Sequence, residues 1–115
     1  MILVAGPYRS GTDGDPARIQ ANVDAMTATS LELWRRGHLP VMGEWFALPL
    51  IEAATAAGDA HADEAIFHPI AERLLERCDG CLRIGGPSSG ADRMVDTARR
   101  LGKHVWFAID EVPAS

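Results

Sequence analysis

Two short segments concentrate residues able to hold an anion or a sugar. The first, Gly6-Pro7-Tyr8-Arg9-Ser10-Gly11, combines a permissive backbone with a guanidinium and a hydroxyl. Glycine lets the chain approach a ligand closely, and the two side chains hydrogen-bond oxygen. The second, Gly85-Gly86-Pro87-Ser88-Ser89-Gly90, precedes a predicted helix. Free N–H groups and the positive dipole end at a helix start suit phosphate or carboxylate. Gly6, Tyr8, Arg9 and Ser10 of the first segment are candidate ligand contacts, as are Ser88, Ser89 and Gly90 of the second. The plainer alternatives are a strand-to-helix connector and a capped helix start. No Gly-Lys-Ser/Thr follows the second segment, so it is not a P-loop, and a dinucleotide fingerprint would belong after the first strand. Neither segment implies a cofactor.

Two acids stand close to these segments. Glu44 follows Gly43 at the end of a predicted strand. It is a candidate for acid–base work or a sugar contact, or else simply an acid favoured by a helix N-terminus. Asp92 opens the helix after the second segment, with the same pair of readings. These two are the candidate catalytic groups. Trp45 and Phe46 can stack on a base or pack in the core, and their apolar surroundings favour the core. His68 is a candidate crevice residue. His61, Asp63 and His68 do not share one helical face, so no metal site is expected. Cys78 and Cys81 span a helix end and a strand start, whereas a redox pair would precede a helix; they read as structural thiols.

Apolar runs and glycine breaks predict the elements that must position these groups. Met1–Ala5 reads as a buried strand and Gly6–Gly14 as a loop. Asp15-Pro16 is an N-cap followed by a first-turn proline, and Gly37 stops the helix they open. His38–Met42 is a second strand. Glu44–Ala57 is a helix with Pro49 in or near its first turn. His61–Cys78 is helical, in two pieces if Pro69 divides it. Gly80–Ile84 is a third strand, Ala91–Leu101 a helix, and His104–Ile109 a fourth strand. Alternating strands and helices predict a parallel sheet with right-handed crossovers. With strand order 2-1-3-4, the glycine-rich segments face each other where the order reverses, the place such sheets bind ligands.

The 115 residues make one domain, 1–115, and carry 11 basic and 16 acidic side chains, net charge −5. No dense Lys/Arg run is present, which argues against nucleic acid as partner. No segment is long and apolar enough to cross a membrane, and no basic leader precedes the first strand, so a cytoplasmic setting is expected. A short sheet leaves edges that need covering, which predicts a homo-oligomer.

The Gly-Pro-Tyr after the first strand, Asn22, Arg36-Gly37-His38, Cys78-Asp79-Gly80 and Pro87-Ser88-Ser89-Gly90-Ala91 together resemble the nucleoside 2-deoxyribosyltransferase-like superfamily, most nearly its small members of unknown function. The resemblance spans nearly the whole chain. It implies a flavodoxin-like three-layer α/β/α fold and chemistry at the N-glycosidic bond of a nucleoside or nucleoside 5′-monophosphate. It also implies that Gly6 and Arg9 belong to the binding loop, and that Ser88 and Gly90 hold the 5′-phosphate. The family's nucleophilic Glu falls at Met94 and its assisting Asp at Ala71. The resemblance therefore implies either an N-glycosidase or deoxyribosyltransferase with a displaced acid, or a binding module without the chemistry.

Overall fold

The computed structural model describes residues 1–114, and of Glu64 the backbone only. Its elements run β1 (Ile2–Ala5), α1 (Pro16–Arg35), β2 (Pro40–Val41), α2 (Gly43–Ala56), α3 (Ala62–Arg77), β3 (Gly80–Arg83), α4 (Ser89–Arg100) and β4 (His104–Trp106), then a short 3-10 turn, Ile109–Glu111. The four strands form one parallel sheet in the order β2-β1-β3-β4. In register, Leu3 faces Val41 on one side and Cys81 on the other.

Alternation along the strands sorts the two faces. Ile2, Val4 and Leu82 pack with Met26 and Leu33 of α1. Leu3, Ala5 and Cys81 pack with Ala71 and Leu75 of α3 and with Met94 and Ala98 of α4. The result is a flavodoxin-like three-layer α/β/α arrangement. The chain reverses direction across the sheet between β1 and β3, so the loops after these strands open onto one crevice.

The helix ends follow local chemistry. Asp15 accepts from the Ala17 N–H at 3.0 Å, with Pro16 at the first helical position. Gly37 takes φ +92° to end α1, a conformation that costs glycine little. Ser88 accepts from the Ala91 N–H at 3.1 Å, so α4 begins at Ser89 and not at Ala91.

Four other expectations are corrected. The second strand shortens to Pro40–Val41, because the His38 N–H is spent ending α1 on Leu33 O (3.1 Å) and Met42 becomes the N-cap of α2. The fourth strand stops at Trp106, since the Phe107 N–H turns to the Glu111 carboxylate (3.3 Å) instead of a ladder. Pro69 does not divide α3, and Pro49 lies well inside α2; each helix continues past its proline at the loss of one backbone donor. The α2 helix rests on α3 through Ala47, Ile51, Ala62 and Ile66, and Gly43 meets Ala71 where a Cβ would lie only 3.2 Å away.

Candidate functional site

The crevice holds a cavity of about 310 Å³, at the lower end of the range for small-molecule sites. Its floor is apolar: Leu3, Ala5, Ala71, Ala91 and Met94. Its walls come from four places. The first loop supplies Gly6, Tyr8, Arg9 and Ser10; the start of α2 supplies Gly43 and Glu44. The first half of α3 supplies Asp63, Phe67 and His68, and the start of α4 supplies Ser88 and Gly90.

The two glycine-rich loops are held by different means. In the first, Asn22 Nδ2 donates to Tyr8 O at 2.9 Å, and the buried Thr12 hydroxyl donates to Arg9 O at 2.6 Å. The tip then leans on α3. The Tyr8 and Phe67 rings lie 5.9 Å apart, and Arg9 approaches Asp63 at 3.9 Å in an exposed pair worth little by itself. The second loop is fixed from behind by Arg83, which is 8% exposed. Its guanidinium donates to the carbonyls of Ile84 and Gly86 and to Asp92 Oδ1 (3.2 Å). The loops also touch. Gly85, at φ +80°, leaves the space that Pro7 fills; a Cβ there would meet Pro7 Cδ at 2.6 Å.

Glu44 is the one acid of the cavity wall that is truly buried, at 7% exposure. It makes no ion pair among the described residues. Burial raises its pKa above the ordinary 4.5, and a backbone hydrogen bond at its own position offsets only part of the rise. The group is therefore biased toward the neutral acid, able to give up a proton.

His68 is also biased to its neutral form. Burial lowers its pKa below 6.5, the Arg93 charge lowers it further, and Glu72 opposes them. Its Nδ1 is buried without a partner, the one such side-chain atom among the described residues. With Nδ1 buried, a polar contact from His68 to a ligand passes through Nε2.

Most of the residues singled out by sequence meet at this cavity: Gly6, Tyr8, Arg9, Ser10, Glu44, His68, Ser88 and Gly90 all line it. Two do not. Asp92 is outside the lining, turned to Arg83 with its side chain 69% exposed. The reason is helical geometry: Met94 faces the cavity, and two residues along a helix is a rotation of about 200°. Ser89, one residue past the cap, is exposed and likewise outside.

Trp45 and Phe46, expected in the core, are 45% and 46% exposed and line no part of the cavity. The cavity's aromatic wall is Tyr8 and Phe67 instead. Phe67 and Asp63 lie four and eight residues before Ala71, on the same helical face. That spacing was the available signal for both. Cys78 and Cys81 are buried and unbonded; burial, then the neighbouring Cys78, pushes the Cys81 thiol up to about 12, which leaves it inert.

Compared with family models, curated proteins and solved structures, the chain matches none.

Proposed function

We propose that the cavity binds a nucleoside or nucleoside 5′-monophosphate and cleaves its N-glycosidic bond, with Glu44 as the proton donor to the departing base. One observation carries the reading: a single buried carboxyl without an ion pair, its pKa raised, in a cavity whose other charged wall residues, Arg9 and Asp63, are exposed. The Tyr8–Phe67 wall suits the base. Ser88, Gly90, His68 Nε2 and Arg9 suit the sugar and its phosphate. No cofactor enters the chemistry proposed.

The step balances without an outside reagent. Glu44 gives its proton to the base nitrogen as the C1′–N bond breaks. Water, or the nitrogen of a second base, captures C1′ and loses a proton that restores Glu44. A positioned acid typically contributes 10²- to 10⁴-fold to such a step. Met94, where the resemblance puts the family's nucleophilic Glu, carries a thioether and no carboxylate, so the step proposed forms no covalent sugar intermediate there.

A second reading rests on that same substitution. Ala71 and Met94 are both buried in the wall where the resembled family keeps carboxyl groups. They favour a module that binds the nucleotide and leaves it intact. Incubation with nucleoside 5′-monophosphates and deoxynucleosides, following free base by chromatography, separates the two. Base release that disappears in Glu44→Gln supports cleavage. Saturable binding with no release from any substrate leaves the binding module. No binding of any of them removes both.

A further inference from the structure

The aromatic wall of the cavity does not choose among bases. Every base has a π-face, so stacking on Tyr8 and Phe67 tolerates them all. Selection has to come from a polar group at the edge of the rings. Asp63 stands there. It lies four residues before Phe67 on α3, and residues four apart are neighbours on a helix surface. It also meets the first loop. Its carboxylate is 3.9 Å from Arg9, whose guanidinium lies 5.8 Å from the centre of the Tyr8 ring. Both rings and the carboxylate therefore share one corner of the wall. The Arg9 contact is long and both side chains are exposed, so a ligand that pairs better with Asp63 displaces little.

We propose, building on the nucleoside reading above, that Asp63 selects guanine as the base by accepting from its N1–H and its 2-amino N–H together. A carboxylate only accepts, through two oxygens set side by side. It pairs through both when it meets two adjacent donors, and guanine carries such a pair on one edge. On adenine and cytosine the amino N–H stands beside a bare ring nitrogen. On uracil the ring N–H stands between two carbonyl oxygens, and hypoxanthine offers a single N–H. With each of these bases one carboxylate oxygen meets a lone pair or nothing.

Depth agrees with this assignment. Glu44, the proton donor proposed for the glycosidic bond, is buried at the start of α2, while Asp63 is at the exposed rim of the same cavity. The two fused rings of a purine carry its far edge out to the rim while the sugar bond stays inside. A pyrimidine is one ring shorter. With Asp63 engaged by the base, Arg9 is left to the sugar and its phosphate.

Calorimetric titration of the full chain with guanosine, inosine, adenosine and cytidine tests this, followed by the same titrations of Asp63→Asn. Guanosine should bind at least about tenfold more tightly than inosine, the usual scale for one hydrogen bond to a charged group. Adenosine and cytidine should bind more weakly still. An amide accepts once and donates once. Asp63→Asn should therefore lose the preference for guanosine and turn to xanthosine, whose 2-oxo group replaces the 2-amino group, by a similar factor. Circular dichroism should stay that of the parent, since Asp63 is exposed. Equal affinity for guanosine, inosine and adenosine overturns the proposal and leaves the nucleoside reading standing. A guanosine preference that survives Asp63→Asn does the same. Binding of no nucleoside at all removes both.

Discussion

The first turns of α2 and α4 look alike in sequence and behave in opposite ways. Each carries an acid in its first turn, Glu44 and Asp92, where the helix dipole favours a negative charge. Asp92 sits beside Arg83, stays largely in water, and serves to steady the cation that holds the second loop. Glu44 sits buried in the cavity wall and makes no ion pair among the described residues, and its pKa rises. The dipole is common to both and decides neither. What differs is which way the turn faces and whether a guanidinium waits there. The same contrast runs the length of the helices: α4 is capped by Ser88 and strongly two-faced, while α2 lacks a side-chain cap and is apolar on both sides.

The largest test of this contrast is exchange of the two acids for their amides. Glu44→Gln should lower base release by 10²- to 10⁴-fold, the usual worth of a positioned proton donor. Asp92→Asn should lower it by less than about threefold, well under 1 kcal/mol. Equal losses in the two variants would dissolve the distinction. The pH profile sharpens it: activity should fall as pH rises through the raised pKa of Glu44, because the acid form is the one that donates.

Next in size is the removal of Arg83. Arg83→Met should destabilise the fold by roughly 3 kcal/mol in urea denaturation, since the Ile84 and Gly86 carbonyls lose a charged donor and Asp92 its partner. Combining it with Asp92→Asn should cost less than the sum of the two, as expected for one network. Additive losses would mean that Asp92 is not coupled to the loop.

Stability should also separate the acids by pH. A carboxyl whose pKa is raised on folding binds its proton more tightly in the native state. The parent chain should therefore lose stability as pH rises from about 4.5 through the raised value, and Glu44→Gln should abolish that loss. The check is the pH dependence of Tm in the two chains: a fall with rising pH in the parent that is missing in Glu44→Gln. The smallest effect concerns the cap: Ser88→Ala should cost about 1 kcal/mol, and Ser89→Ala almost nothing, because Ser89 neither caps α4 nor lines the cavity.

Much of the frame was legible in advance because its signals are local. Asp15-Pro16 opens α1 and Gly37 closes it through backbone geometry that needs no distant partner. The apolar run Ile2–Ala5 is buried on both faces, which is why it reads as continuous and not alternating. The glycine segments Gly6–Gly11 and Gly85–Gly90 could be set opposite each other from strand order alone. The residues that went astray were those whose roles depend on a partner far along the chain. Trp45 and Phe46 look like core by composition, but the α3 contact falls on the other side of their helix. Arg83 looks like one polar residue in a strand until the loop carbonyls and Asp92 are brought round it.

By itself, then, the sequence determined the alternation of strands and helices and the caps, and it set the switch point only for a strand order of 2-1-3-4. Periodicity, capping and turn chemistry are short-range, so they can be read from neighbours. Only the tertiary structure decided that Glu44 is buried without an ion pair and Asp92 is not, that Phe67 and Asp63 complete the wall, and that one face of α2 remains bare. Desolvation and ion pairing depend on what other elements bring to a residue, and that is a property of packing across the whole chain.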